Sequence, residues 1–240
     1  KTTGRELYLS EDRLYGSYEE MAEKEAKLPE DERIDFVAVV TPNKTHFPVS
    51  KTFLEAGFHV VCDKPMTFSL EEAEELVSLV EKTGLVFALT HNYTGNSLVR
   101  EARKLFNSGK MGTVRKVLVE YLQDFLMYPV EKEGNKQAIW RLDPKQSGIA
   151  GTLGDIGTHA LNLVEFITED PVVELCADLS TFLPDRKLDE DGNILVRLHK
   201  GGKGCISVSQ IATGEENDLS CKIYASEGGI SWAQEHTNSL

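Results

Sequence analysis

Three features that define large classes of protein are missing from this sequence. No apolar run approaches the roughly 20 residues that a membrane-spanning helix needs, and there is no internal repeat. No two cysteines lie at the short spacing of a zinc ligand pair. We therefore expect no metal site and a cytoplasmic protein whose cysteines are reduced and buried. These cysteines are Cys62, Cys176, Cys205 and Cys221.

Positive charge is also in short supply. The sequence has 26 Lys and Arg residues against 39 Asp and Glu residues, a formal net charge of −13. Such a surface repels phosphate backbones and anionic membranes. We therefore predict neither a nucleic-acid partner nor a membrane partner, although a local basic pocket for a small anion stays possible.

The first half of the sequence alternates apolar runs with helical segments. The predicted strands are 34–40, 59–62 and 85–89, and the predicted helices are 17–28, 45–56 and 69–83. Capping boxes begin the helices that follow Ser17 and Ser69. The nearly continuous apolar run 34–40 predicts a strand buried on both faces. This order predicts βαβ units and a parallel sheet.

A polar cluster follows each of the three predicted strands. The clusters are Thr41-Pro42-Asn43, Asp63-Lys64-Pro65 and His91-Asn92-Tyr93. Ligands of open parallel sheets bind outside the carboxyl ends of the strands, so three clusters on one edge predict a binding site. Lys64 is either a solvated turn lysine or, through burial and a neighbouring charge, a residue suited to proton transfer.

The second half contains short alternating runs that are typical of antiparallel strands. A helix over 96–108 and a strand over 114–123 precede a long irregular segment, 124–147. Further strands are predicted over 172–182, 193–199, 204–212, 219–225 and 230–232. We interpret Gly192-Asn193 and 200–203 as hairpin turns. A sheet of this size could bury one face against a partner subunit, so we expect a homo-oligomer.

The predicted fold class is therefore α/β followed by α+β. We expect a partial Rossmann-type parallel sheet in residues 1–111. An open, mainly antiparallel β-sheet domain with helices on one face follows in residues 112–240.

The glycine-rich run Gly151–His159 allows two interpretations. Asp155 and His159 lie four residues apart, which places both on one face of a helix. A carboxylate and an imidazole held together can position a substrate hydroxyl and take its proton. Alternatively, Thr152 and Asp155 form the capping box of an ordinary helix, with His159 in its buried stripe.

The ordered combination of motifs resembles the glucose–fructose oxidoreductase / inositol dehydrogenase / rhizopine-catabolism (Gfo/Idh/MocA) family. The matching segments are 38–46, 56–66, His91-Asn92-Tyr93, 109–114, Trp140-Arg141, Gly151–His159 and 227–232. The resemblance implies an NAD(P)-dependent dehydrogenase that transfers a hydride between NAD or NADP and the CH–OH group of a sugar, polyol or related compound.

The resemblance also implies roles for particular residues. The catalytic residues would be Lys64, Asp155 and His159. The cofactor-binding residues would be Thr41, Pro42, Asn43, His46, Asp63, Lys64, Asn92, Trp140 and Arg141. The substrate-binding residues would be Lys64, Tyr93, Gln123, Asp155 and His159. Without the resemblance, Trp140-Arg141 would equally be an anchoring aromatic residue with an exposed cation.

The sequence departs from the family pattern in three places. Asp63 stands where the family has glutamate, and Asn162 where it often has aspartate. The family's Gly-x-Gly-x-x-Gly turn, whose backbone N–H groups bind pyrophosphate, does not occur in the sequence. We therefore expect a fragment of a family member. The alternative function is that of a truncated, catalytically inactive member that binds a ligand or assists assembly.

Overall fold

The computed structural model describes residues 2–240, which form two compact units that divide after Thr90. The helices are α1 (Thr2–Glu6), α2 (Tyr18–Glu25), α3 (His46–Glu55), α4 (Leu70–Thr83), α5 (Ser97–Asn107), α6 (Lys136–Arg141), α7 (Pro144–Ser147) and α8 (Thr158–Thr168). The strands are β1 (Phe36–Val39), β2 (His59–Asp63), β3 (Phe87–Thr90), β4 (Val114–Leu122), β5 (Val172–Ser180), β6 (Asp191–Leu198), β7 (Lys203–Ser209), β8 (Asp218–Ala225) and β9 (Gly229–Ala233). Within these residues, no helix is both long and apolar enough to cross a membrane.

The first unit is a three-stranded parallel sheet in the order β1-β2-β3. The predicted capping boxes are confirmed, because the hydroxyls of Ser17 and Ser69 accept from the backbone N–H groups of Glu20 and Glu72. Apolar side chains from α2, α3, α4 and the strands form one core. Its buried members are Ala22, Val39, Val49, Phe53, Leu54, Phe58, Val60, Cys62 and Leu76.

The prediction that the first strand is buried on both faces is wrong. Val39 is buried, but Phe36 and Val40 are 55% and 71% exposed. The reason lies in the topology, because β1 is the outer strand of the sheet that residues 2–240 form and pairs only with β2. An apolar run predicts a strand, but it does not predict how many neighbouring elements cover that strand.

The second unit is a six-stranded mixed sheet in the order β5-β6-β7-β4-β8-β9. Only the pairing of β4 with β7 is parallel, so the sheet is mainly antiparallel, as predicted. α8 packs against β4, β7 and β8 and buries an apolar stripe that includes Leu163 and Ile167.

Two local predictions for this unit are wrong. Gly192-Asn193 lies inside β6 and not in a turn, since Gly192 pairs with residues of both β5 and β7. The segment 124–147, predicted to be irregular, contains the short helices α6 and α7. Both helices begin with a side-chain cap, from Asn135 and Asp143 respectively, which periodicity over so few residues does not reveal.

α5 belongs to the second unit of the structure. Val99, Ala102 and Phe106 are buried in its core, and α5 packs against α8. The domain division at 111/112 expected from the sequence lies after this helix, whereas the compact units divide after Thr90. The difference arises because an amphipathic stripe does not specify which sheet it covers.

The cysteines do not share one environment. Within residues 2–240 all four are free thiols, but only Cys62 and Cys221 are buried. Burial raises the pKa of Cys62 to about 11 and that of Cys221 to about 12. The expectation that all four are buried is wrong for Cys176, which is exposed on the outer strand β5.

Adjacent positions of α4 provide a test of the first core. Leu76 is 1% exposed and Val77 is 51% exposed. We expect Leu76→Ala to lower the free energy of unfolding by about 2–5 kcal/mol, through lost transfer energy and the remaining cavity. Val77→Ala is the matched control and should change it by no more than about 0.5 kcal/mol. Urea unfolding followed by circular dichroism measures both, and equal losses would contradict the packing described.

Candidate functional site

The carboxyl ends of the three parallel strands are held together by side chains. The ring of His46 is buried, with Nε2 2.7 Å from the carbonyl oxygen of Thr41 and Nδ1 2.7 Å from that of Pro65. The hydroxyl of Thr90 donates to Oδ1 of Asp63 over 2.7 Å. His46 thus joins the loops that follow β1 and β2, and Asp63 joins the ends of β2 and β3.

The loop after β1 has its own internal support. The backbone N–H and the hydroxyl of Thr45 donate to the carbonyl oxygen of Pro42 over 2.9 and 2.7 Å. Pro42 and Asn43 are half-buried, and so is Lys64 in the loop after β2. The six residues predicted for cofactor binding in this unit therefore line one edge of one sheet. They are Thr41, Pro42, Asn43, His46, Asp63 and Lys64.

Asp155 lies in a π-helical turn, Leu153–Gly157, that continues directly into α8. His159 follows in the first turn of α8. The capping box predicted for Thr152 is wrong, because Thr152 is already helical and makes no side-chain capping bond within the described chain. Its buried hydroxyl donates instead to Oε1 of Gln210 over 3.0 Å.

The start of this helical segment is capped by Asp189, which lies far along the chain. Its two carboxylate oxygens accept from the N–H groups of Gly151 and Leu153, each over 2.6 Å. Its backbone oxygen accepts from Thr152 N–H over 2.9 Å. A Cβ at Gly151 would lie 2.3 Å from that same backbone oxygen, so only glycine permits this approach.

His159 is surrounded by aromatic rings. It is 7% exposed, and its ring centroid lies 5.0 Å from that of Tyr93 and 5.8 Å from that of His91. Tyr121 adds a third ring at 6.3 Å. Burial, a hydrogen bond with Tyr93 and the charges of Tyr93 and Asp155 raise the pKa of Tyr121 above the ordinary value of a tyrosine.

The carboxylate of Asp155 accepts two hydrogen bonds at Oδ2. Gln210 donates from Nε2 over 3.0 Å, and Arg141 donates from Nε over 3.3 Å. Arg141 is half-buried, and its guanidinium lies 4.3 Å from the ring centroid of Trp140. Arg141 is thus an ion-pair partner of Asp155 and not an exposed cation.

A chain of polar side chains leads from Asp155 to Tyr93. Gln210 donates to Oε1 of Gln123 over 3.0 Å, and Gln123 donates to Oδ1 of Asn217 over 2.7 Å. Tyr121 donates to the same oxygen of Asn217 over 2.8 Å, and its own hydroxyl lies 2.5 Å from that of Tyr93.

The second unit therefore brings together five of the residues predicted from the sequence, namely Tyr93, Gln123, Arg141, Asp155 and His159. Trp140 contacts this group only through the guanidinium of Arg141 among the contacts described above. Asn92 is exposed and takes no part in these contacts. Tyr121, Gln210 and Asn217 belong to the cluster but were missed. Tyr121 lies two residues before Gln123, which is only a weak signal, and Gln210 and Asn217 belong to no motif.

Among the described residues, no group of three or more His, Cys, Asp and Glu side chains is arranged to hold a metal ion.

The two units, a Rossmann-type parallel sheet and a mixed sheet whose helical segment carries Asp155 and His159, each match one domain of a known family. The oxidoreductase family with an NAD-binding Rossmann fold (GFO_IDH_MocA) matches residues 11–91. The GFO/IDH/MocA C-terminal domain matches residues 99–231. The chain belongs to the Gfo/Idh/MocA family.

Several known proteins are similar to this chain. An uncharacterised oxidoreductase of Bacillus subtilis, YfiI, is 30% identical over 100% of this chain and 61% of its own length. An inositol dehydrogenase homologue of Azotobacter vinelandii, solved with NAD⁺, has a TM-score of 0.93 at 34% identity, over 98% of this chain and 60% of its own. A levoglucosan dehydrogenase, solved with NADH and levoglucosan, has a TM-score of 0.83 at 25% identity, over 93% and 59%. The chain thus spans about three fifths of each relative's length.

The cap supplied by Asp189 can be tested through stability. We expect Asp189→Ala to lower the free energy of unfolding by about 1–2 kcal/mol, because the N–H groups of Gly151 and Leu153 lose their acceptors. Asp178→Ala, at an exposed aspartate of β5, is the control and should cost no more than about 0.5 kcal/mol. Urea unfolding compares them, and a cost for Asp189→Ala no larger than the control's would contradict the capping role.

Proposed function

We propose that this chain is a nicotinamide-dependent dehydrogenase that transfers a hydride between the cofactor and the CH–OH group of a sugar, polyol or related hydroxy compound. One observation carries the proposal. Asp155 and His159, four residues apart at the start of one helix, are both built into a single polar and aromatic cluster by partners from several elements. Their partners Arg141, Gln210 and Tyr93 come from three other segments of the chain and hold the pair in place, as a reaction that uses both groups requires.

The first unit offers residues that fit the nicotinamide end of NAD or NADP. Its polar loops lie at the carboxyl ends of parallel strands, where ligands of such sheets bind, and His46 holds two of them together. Thr41, Pro42, Asn43, His46, Asp63 and Lys64 would hold the cofactor there, with Asn92, Trp140 and Arg141 as further binding residues. We assign the pyrophosphate to none of the residues of this sequence.

The cofactor, when bound, supplies the hydride acceptor. In our proposal His159 accepts the proton of the substrate hydroxyl, since histidine exchanges protons near neutral pH. Lys64 of the first unit is the third catalytic residue of the proposal, since an ammonium group stabilises negative charge that develops on a substrate oxygen. Asp155 binds a neighbouring hydroxyl or orients His159, and Tyr93 and Gln123 contact the substrate. The substrate carbon loses a hydride and its hydroxyl loses a proton, which leaves a carbonyl group.

The relatives support this choice of reactants. The inositol dehydrogenase homologue has also been solved with NADH and myo-inositol, and the levoglucosan dehydrogenase with an anhydrosugar. Both ligands carry several neighbouring hydroxyl groups, which suits a site with a carboxylate beside an imidazole. NAD(H) is the cofactor we would test first, with NADP(H) beside it.

Binding and turnover test the proposal. We expect nicotinamide fluorescence to report NADH binding to the chain, and a panel of polyols and sugars to yield NADH absorbance with at least one member. Lys64→Ala and His159→Ala should each lower turnover about 10²–10⁴-fold, the usual contribution of a proton-transfer group, with unchanged circular dichroism.

Lys82→Ala and His199→Ala are the matched controls, since both residues are exposed and lie away from these clusters. They should leave turnover unchanged. Normal turnover in both Lys64→Ala and His159→Ala would refute the assignment of these residues.

The alternative, an inactive family member that binds a sugar-like ligand or assists assembly, is favoured by one observation. The sequence contains no Gly-x-Gly-x-x-Gly turn. Binding of a polyol to the second unit, measured by calorimetry, without any NADH or NADPH binding would favour this alternative over dehydrogenation.

We further propose that the protein is a cytoplasmic homo-oligomer; the free thiols support the location. Association is supported by a row of side chains that crosses the face of the second sheet opposite α8. In register these are Cys176, Leu195, Cys205, Leu118 and Lys222. Leu195, in this row, is an exposed large hydrophobic residue. A charged side chain at position 195 would lose its hydration if this face were buried against a second copy of the chain.

Sedimentation velocity tests the association. Leu195→Asp should move the chain toward the monomer, with at least a tenfold weaker association, because burying an unpaired carboxylate costs more than about 1.4 kcal/mol. Val77→Asp, at an exposed position of α4, should leave the distribution unchanged. A wild-type chain that sediments as a monomer at all concentrations would overturn the proposal.

A further inference from the structure

Gln210 directly follows β7, and each of its backbone and side-chain polar groups forms a hydrogen bond. It is 2% exposed. Its backbone N–H donates to Glu190 over 3.0 Å, and its backbone oxygen accepts from Leu126 N–H over 2.7 Å. The main chain at Gln210 is therefore fixed on both sides, which leaves only the side-chain torsions to place the amide.

The side-chain amide is fixed as well. Oε1 accepts from the Thr152 hydroxyl, and the two hydrogens of Nε2 go to Gln123 and Asp155, each bond being 3.0 Å long. Turning the amide by 180° would set Oε1 against the oxygens of Gln123 and Asp155, which repel it. The oxygens of Gln123 and Asp155 therefore decide that the N–H groups face them, and the amide oxygen is left to accept from the Thr152 hydroxyl.

This contact matters for a carboxylate that has charged and titratable neighbours on several elements. Arg141 of α6 lies 3.3 Å from the same oxygen. The charge of Asp155 contributes to the raised pKa of Tyr121 of β4. His159 lies one helical turn further along the chain. A donor that bonds Oδ2 favours the ionised form and fixes the direction of the carboxylate plane.

We propose that Gln210 is a positioning residue that orients Asp155 and keeps it ionised for its contact with the substrate or with His159. The proposal rests on the proposed function of Asp155, and no motif or family resemblance identified Gln210. A leucine would fill the same space without a donor. A glutamate would add a second carboxylate beside Asp155.

A titration that requires neither cofactor nor substrate tests the proposal. Carboxyl ¹³C NMR of the whole chain follows Asp155, whose signal is assigned by its loss in Asp155→Asn. In Gln210→Leu the pKa of Asp155 should rise by about one pH unit, because one hydrogen bond to the charged form is lost. In Gln210→Glu it should rise further, through repulsion between two carboxylates.

Gln146→Leu is the matched control within the same unit. Nε2 of Gln146 donates to Oδ2 of Asp143 over 3.1 Å, so this variant should move the titration of Asp143 and leave that of Asp155 unchanged. An Asp155 pKa in Gln210→Leu within about 0.2 of the wild-type value, with Asp143 shifted in the control, would overturn the proposal.

Thr152→Val provides a second route if Gln210→Leu does not fold, as judged by circular dichroism. It removes the donor to Oε1 and leaves that buried oxygen without this bond, which loosens the hold on the amide. The pKa of Asp155 should therefore rise in the same direction by a smaller amount, and an unchanged value would overturn the proposal. If the titration shifts as expected while the chain shows no dehydrogenase activity, the positioning role stands and the proposed function fails.

Discussion

The second unit depends on how the chain is held at Gly151–Leu153, where a helical segment begins beside a backbone that approaches it closely. Three consecutive N–H groups there donate to one residue, Asp189. The first N–H groups of any helix have no acceptor within the helix, and an anion at that end is favoured by the helix dipole. Because the acceptor comes from the segment before β6, the direction of α8 is tied to the sheet on which it lies.

The segment 186–190 also holds the loop that carries α6. The guanidinium of Arg186 is buried and donates to the backbone oxygens of Leu126 and Tyr128 and to the carboxylates of Glu131 and Glu190. A buried ion pair whose remaining donors and acceptors are bonded specifies one arrangement of its neighbours. Two anchors a few residues apart therefore position both Arg141 and Asp155, which meet as an ion pair.

The segment Gly151–His159 shows which features of a site a sequence motif predicts and which depend on tertiary contacts. The spacing of four correctly suggested that Asp155 and His159 belong to one helical segment, and the buried stripe of that helix was also recognisable. The cap was misassigned, because the Thr152 hydroxyl donates to Gln210 while the N–H groups at the start of the segment donate to Asp189. A pattern of a few residues cannot weigh a local bond against one formed 58 positions away.

Much of the architecture could be predicted from the sequence alone. Apolar runs, capping serines and glycines placed both sheets, most helices and the parallel-then-antiparallel order, since these depend on local periodicity and backbone geometry. The polar clusters after β1 and β2 could be located for the same reason. Tertiary structure alone decided that β1 is an outer strand and that α5 packs on α8. It also decided that Gln210 bonds Asp155, that Tyr121 lies beside His159, and that Asn217 joins Tyr121 to Gln123. Those outcomes depend on which distant surfaces meet, and hydrogen bonds across such surfaces leave no periodic signal in the chain.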